Sequence, residues 1–400
     1  MRAVDSTIVM RGCMVDNNLS TEPASFGQAG YSSSGMINLA TSTLMLNDCT
    51  LSANRTESEA YTTGGAISSQ DSDVVATQTI FNDNAIVFNL PGVFGGFIGG
   101  AAIGFPVWST EGSLSLTNCR FISNTVVSLG EQSPPSGGAL YGSGRNWSIV
   151  GCEFNGNSVS GLNGAQGGAA YTYGWPVGYI NCTFANNSAQ GWLGLGRVGG
   201  VHWASGSSPT LTNCILWGNT DDVSPTQTSQ LGAPPGTTGR ATLSRCIVQG
   251  LTGSLGGQNN SGLDPLFESQ LGADGLAGNM DDDLRLSPNS PAIDFGNSAA
   301  LFAAATPTID ALGAPRLFND VGTPDAGVGP STTLDVGAFE FQGFTCRVDW
   351  DRSGVVDIGD VFSYISDFFA GGSRADFNRV NGPTLQDLFD FLSAYFTGCP

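Results

Sequence analysis

Twelve residues near the C-terminus, DWDRSGVVDIGD from Asp349 to Asp360, place oxygen donors at the spacing of a calcium loop. Asp349, Asp351, Ser353, Asp357 and Asp360 stand at positions 1, 3, 5, 9 and 12, and the Val355 carbonyl falls at position 7. Gly354 holds position 6, where the loop must turn sharply. A hard cation needs several carboxylate oxygens, so the expected cofactor is Ca2+. The pattern returns as DFNRVNGPTLQD from Asp376 to Asp387. Asp376, Asn378, Thr384 and Asp387 form a weaker second set there, because Val380 occupies a ligand position and Asn381 the glycine position.

Acid–base chemistry has thinner candidates: Glu153 with Arg120 as a carboxylate–guanidinium pair, and His202, the sole histidine. Tyr141, Tyr171 and Trp203 follow successive Gly-Gly motifs, with Tyr173, Trp175 and Trp192 nearby, and would make a stacking platform for sugar rings if they face solvent. Facing inward, they would form a core stack.

Composition narrows the partners. The net charge is −20, and all 14 basic residues are arginine. A chain without a basic face is a poor match for nucleic acid or anionic membrane. Neutral polysaccharide, cations or a surface protein remain as partners. No apolar run reaches the roughly 20 residues of a membrane span. With 57 glycines and 12% charged residues, the chain suits short strands joined by tight turns.

Those strands recur. RGCMVDNN, NDCTLSAN, TQTIFNDN, TNCRFISN, VGCEFNGN, INCTFANN, TNCILWGN and SRCIVQGL repeat a C-x-apolar-x-x-N pattern anchored at Cys13, Cys49, Thr79, Cys119, Cys152, Cys182, Cys214 and Cys246. Apolar residues stand two after, three before and mostly five before each anchor, the alternation of strands with one buried face. A third strand begins at Gly64-Gly65, Gly137-Gly138, Gly167-Gly168 and Gly199-Gly200, each pair starting fifteen residues before its anchor. The expected fold is therefore all-β: a right-handed parallel β-helix with three short strands per coil. Asn18, Asn54, Asn84, Asn124, Asn157, Asn187 and Asn219 are expected at one corner, in left-handed backbone, with their amides bonded to the next coil. The anchor cysteines read as buried stacked thiols. Arg120 and Glu153 fall one coil apart on the outer face, as a surface ion pair. Since Ile8, Met10, Cys13 and Val15 already fit their columns, the chain is expected to start at the second strand of a coil, with coils and a signal peptide lost upstream.

The Gly-Gly-Ala and F-x-x-N motifs together resemble the polymorphic outer membrane protein repeat over roughly residues 30 to 250. The run ending in Asp335-Val336-Gly337-Ala338-Phe339-Glu340 is similar to the close of exported β-helix proteins of the choice-of-anchor type. These resemblances imply a cell-surface or extracellular location and adhesion more than catalysis. The acidic group Asp274, Asp281, Asp282 and Asp283 reads as a solvated loop, with a calcium site as the other option. Each C-terminal loop runs into an apolar helix, Val361, Ile365 and Phe368 matching Leu388, Leu392 and Tyr395. This duplication of EF-hand-type loops resembles a type I dockerin over residues 346 to 399. Cohesin-binding dockerins commonly carry a hydroxyl pair at loop positions 10 and 11. Ile358-Gly359 and Leu385-Gln386 stand there instead, which weighs against a cohesin-like partner. Cys346 and Cys399 bracket the module, and a disulfide between them would imply an oxidising compartment.

The expected organisation is β-helix coils over 1–260, terminal coils and a cap over 261–342, and a small α-helical, dockerin-like calcium module over 343–400. The expected function is an exported, non-catalytic surface or adhesion protein with a calcium-dependent attachment module. A polysaccharide lyase or glycoside hydrolase acting on the β-helix face is the alternative.

Overall fold

A computed structural model describes residues 1–22, 31–32, 35–59, 61–89, 98–106, 109, 111–130, 134–142, 146–204, 206–222, 227–234, 236–237, 239–304, 308–320, 323–343, 348–351, 356–370, 375–378 and 382–398. Through residue 248 the chain is a parallel β-solenoid, with three sheets of eight strands and a fourth of six. Each strand pairs with its equivalent one coil away, so like positions line up. Val15, Leu51, Phe81, Phe121, Phe154, Phe184, Leu216 and Val248 form one line in register. Met10, Leu46, Ala76, Leu116, Ile149, Tyr179, Leu211 and Leu243 form another. Because coils repeat at about 4.8 Å, like rings must lie flat on one another. Phe81, Phe121, Phe154 and Phe184 accordingly stack with centroids 4.7 Å apart.

The corners explain the anchor column. The residue before every anchor (Gly12, Asp48, Gln78, Asn118, Gly151, Asn181, Asn213 and Arg245) has φ between 46° and 65°. This turns the next side chain inward, where each thiol donates to the carbonyl two residues back, from Cys13 to Arg11 at 3.3 Å through Cys246 to Ser244 at 3.5 Å. Thr79 replaces the thiol with a hydroxyl that makes the same bond, to Thr77 at 3.0 Å. The seven anchor cysteines are free thiols. The asparagine corner differs from expectation in one respect. The left-handed residue is the one before each asparagine (Asn17, Ala53, Asp83, Ser123, Gly156, Asn186 and Gly218), and Asn54 through Asn219 are themselves buried.

Two further expectations need correction. Each complete coil has four strands, since Arg55–Ser58, Ala85–Phe88, Thr125–Ser128, Ser158–Gly161 and Ser188–Gly191 extend past the asparagine corner. Segments such as RTES and SAQG are too polar to show apolar alternation; across the sheet, Ile86, Val126, Val159 and Ala189 close a small separate core with Ile98, Ala101 and Ala165. Arg2–Val4 also forms a strand of the Gly-Gly sheet, so the first coil begins one strand earlier than the column pattern indicated.

The Gly-Gly register slips once. Gly64, Gly100, Gly137 and Gly167 share a positive φ, and a Cβ on Gly137 would lie 2.0 Å from the Leu140 carbonyl oxygen. In the next coil Val198, at φ 59°, takes that place instead of Gly199. Val201 then pairs with Ala170, His202 with Tyr171 and Trp203 with Thr172. A slip of one residue exchanges the two faces of a strand.

Gln258 and Ser261 bridge to the strands of the last coil, at Ser244 and Ile247. Leu251 and Leu255 pack there against the core, and the following segment lies along the flank of the solenoid, over the third sheet and its corner. Ile215 and Ile247 on that sheet's outer face meet Leu286, Ala292, Ile293, Val336 and Phe341. Corner asparagines tether it: Asn118 donates to the Ile309 carbonyl, Asn181 to that of Asp335 and Asn213 to that of Asn297. The layer is nearly strandless, so its backbone N–H groups need other acceptors. The Asp335 carboxylate accepts from the N–H groups of Asp294 (2.7 Å) and Phe341 (2.6 Å), and Glu340 from those of Leu317 (2.8 Å) and Phe318 (3.1 Å). The D-x-G-A-x-E signature is thus a set of buried acceptors that replaces sheet pairing.

Near the C-terminus, two helices, Ile358–Ala370 and Leu385–Thr397, pack on a core of three pairs related by the 27-residue duplication: Val348 with Ala375, Trp350 with Phe377, and Tyr364 with Phe391. Tyr364 and Phe391 stack face to face at 4.0 Å.

Candidate metal centre and candidate ligand faces

The first acidic loop brings three of its expected ligands together. Asp349, Asp351 and Asp360 bring carboxylate oxygens within 4.8 Å of one another, the sole such acidic group among the described residues. Asp360 is buried at the start of its helix, and its two oxygens accept the N–H groups of Asp351 (3.0 Å) and Asp357 (2.8 Å). Asp387 repeats this arrangement, accepting from Asn378 and Thr384, both at 2.8 Å. Burial raises the Asp387 pKa, but these N–H groups and the Thr384 hydroxyl outweigh it and hold the carboxyl below its usual range. Asp376 accepts the Gly382 N–H at 3.0 Å. Ser353, Val355 and the proposed Cys346–Cys399 disulfide lie outside the described residues, as do Val380 and Asn381.

The helices of this module also carry apolar side chains on their outer faces. Ile358, Phe362 and Phe369 are exposed, as are their duplicates Leu385, Phe389 and Phe396, with Phe369 and Phe396 at 81% and 82%. The sequence held this signal in the 27-residue offset, though periodicity alone assigned the apolar positions to one inner face.

Arg120 and Glu153 do pair, at 2.5 Å, but not on the surface. The flank layer covers Glu153, leaving it 1% exposed. Burial, ahead of the opposing effect of Arg120, raises its pKa, and Asp282 and Asp283 add to the rise. Asp282 reaches this interface from a loop whose carboxylates are internally bonded: Asp282 accepts from Gly278, Asn279 and Asn155, Asp281 from Ala273 and Asp274, and Asp283 pairs with Arg285. Asp274 accepts from the Leu276 N–H and the Asn279 amide, so all four acids in this loop serve its own fold and its docking.

The aromatic column is Tyr141, Tyr171 and His202, with Trp203 displaced into the main core by the register slip. Its rings stack at 5.6 and 5.2 Å, and Tyr141 and His202 are buried. Rings that spend their faces on one another offer mainly edges to a sugar, which weakens the platform. Burial, reinforced by Arg197, pushes the His202 imidazole down to about 3, so it stays neutral at physiological pH. Neither of its ring nitrogens has a partner among the described residues.

The flank layer has a pH dependence of definite sign. Burial pushes Glu340 up to about 7 despite Arg316 and the local N–H groups, and burial with the Glu340 charge raises Asp335. A carboxylate whose folded pKa exceeds its unfolded value binds more protons when folded, so stability falls as pH rises between the two values. Between about pH 4.5 and 7, amide protection across residues 292–341, corrected for intrinsic exchange, should therefore decrease by a few kcal/mol of opening free energy. An increase over that window would contradict the burial of these charges.

The chain matches no family model, no curated protein and no solved structure.

Proposed function

We propose that this chain is an exported, non-catalytic surface or adhesion protein: a right-handed β-helix that displays corner loops, joined to a dockerin-like module that calcium organises for attachment or assembly. One observation carries the reading, the duplication in residues 348–397 of core pair, acidic tie and outward apolar triplet. Asp349, Asp351, Asp357 and Asp360, with Ser353 and the Val355 carbonyl from the loop pattern, would hold Ca2+; the second loop would hold it weakly. Bound calcium would supply charge neutralisation and bring the loop ends together. The apolar character of the outward triplets favours a surface protein as partner over a polysaccharide. The resemblances to exported β-helix families support an extracellular setting. In it, a thiol column buried by the coils would be shielded from oxidants.

The test is retention on envelopes of the producing cells, in calcium and in EDTA, together with exposure to a panel of plant and algal polysaccharides. The full chain should sediment with envelopes in calcium, and the double variant Phe362→Ser/Phe389→Ser should lose about tenfold in retention, near the ~1.4 kcal/mol expected for losing part of an apolar contact. Equal retention in EDTA would remove the attachment role, and release of reducing ends or unsaturated sugars would establish the enzyme instead.

A further inference from the structure

At the end of the last coil a buried amide sits between two hydroxyls. Gln227 begins the short helix Gln227–Gln230, which leads into Leu231–Gly232, the last strand of the Gly-Gly sheet, and its side chain is buried. Thr252 and Ser254, both exposed, come from the turn that follows Ile247–Val248, the last strand of the third sheet. Leu251 and Leu255 pack that turn against the main core.

The three side chains form a closed polar ring. Gln227 Oε1 accepts the Thr252 backbone N–H at 2.7 Å and the Thr252 hydroxyl at 3.1 Å. Gln227 Nε2 donates to the Ser254 hydroxyl at 2.7 Å, and the two hydroxyls lie 2.9 Å apart. These are the parts of an acyl transfer. The Thr252 hydroxyl is a nucleophile beside a carbonyl, and the Thr252 N–H stands at the reach of an oxyanion donor. Ser254 stands between the nucleophile and the leaving nitrogen, where it can carry a proton from one to the other.

We propose that Thr252 attacks Gln227 and leaves the chain with an ester cross-link between residues 25 apart. The exposed Thr252 side chain rotates from the edge of the carboxamide to its face, while the Thr252 N–H stays on Oε1 and stabilises the tetrahedral oxyanion. The bond from Thr252 Oγ1 to Gln227 Cδ forms, and the bond from Cδ to Nε2 breaks. The hydroxyl proton passes through Ser254 to Nε2, which departs as ammonia. Nothing is oxidised or reduced, and no co-reactant is consumed. Two hydroxyls make a weak relay, but the reaction runs once per molecule, so slow chemistry suffices. The chain has no lysine, so an amide cross-link through a lysine amine is closed to it. The ester would clamp the terminal turn to the coil before it, at an end where a coil has a neighbour on one side only. It does not depend on the reading given to the C-terminal module.

Intact-mass measurement of the full chain, purified and held for days near neutral pH, tests the cross-link. The chain should read about 17 Da below the mass of its sequence, the ammonia lost. Fragmentation should find the peptides of Gln227 and Thr252 joined, and neutral hydroxylamine, which opens esters and spares amides, should separate them. Thr252→Ala, at an exposed position where misfolding is not at issue, should keep the full mass, and Thr252→Ser should restore the loss. Ser254→Ala should slow the loss about a hundredfold, the lower end of what a positioned proton carrier contributes. A wild-type chain that keeps its full mass, or a loss of ammonia that persists in Thr252→Ala, would overturn the cross-link. Linkage mapped to Ser254 would overturn Thr252 as the nucleophile, and an unchanged rate in Ser254→Ala would overturn the relay.

Discussion

Chelating calcium should unfold residues 348–397 while the solenoid keeps its strands. The module's core is three residue pairs around Tyr364 and Phe391, too small to offset the chain entropy of two loops and two helices by itself. Without a cation, Asp349, Asp351 and Asp360 hold their oxygens within 4.8 Å against mutual repulsion. A calcium concentration near a hundred times Kd adds about 2.7 kcal/mol, which is of the order of the whole stability of so small a unit. EDTA should therefore abolish amide protection in both helices, and Asp349→Ala should do the same in saturating calcium. Asp376→Ala should cost clearly less, since Val380 and Asn381 impair the second loop. Protection of these helices that is indifferent to EDTA, or equal losses from the two substitutions, would sink the account.

The second large effect is expected at Asn157, in the middle of the solenoid. Its amide donates at 2.9 Å to both Asn187 Oδ1 and the Phe121 carbonyl, and its own Oδ1 accepts from the side chain and backbone N–H of Asn124. The ladder continues the same way from Asn54 to Asn219 and ends on Gln230, whose Oε1 takes the last amide at 2.7 Å. Asn157→Ala would leave donors and acceptors of both adjacent coils unmet in a dry interior, at a cost of about 3–5 kcal/mol in urea unfolding. Nearest-neighbour coupling in a solenoid should confine the damage to the flanking coils at low urea. A loss under about 1 kcal/mol would mean that water or a rearranged chain repairs the ladder.

What could be read without coordinates followed from translational repetition. A parallel solenoid stacks each residue on its equivalent, so recurrence of Cys, Phe and Asn at one offset is already a statement about contacts, and the columns through Leu51, Phe81 and Phe121 run in register as the pattern indicates. The fourth strand escaped because its short segments share no residue pattern, RTES and SAQG being polar where AIVF is apolar, and they bury only a narrow inner line. Trp203 escaped because a constant fifteen-residue spacing concealed a register slip at Val198, compensated before the next anchor.

The sequence by itself therefore determined the local and periodic facts: the solenoid, its buried thiol and asparagine columns, and acidic loops whose ligand spacing is a chemical pattern within one short segment. Only tertiary structure decided how distant segments meet. It put Glu153 beneath the flank layer and turned the D-x-G-A-x-E acids into acceptors for N–H groups more than twenty residues away. The physical reason is that the flank layer has no repeat. Its contacts are single pairings between unlike residues, so no column in the sequence records them, and burial of a charge exists only once the covering segment is in place.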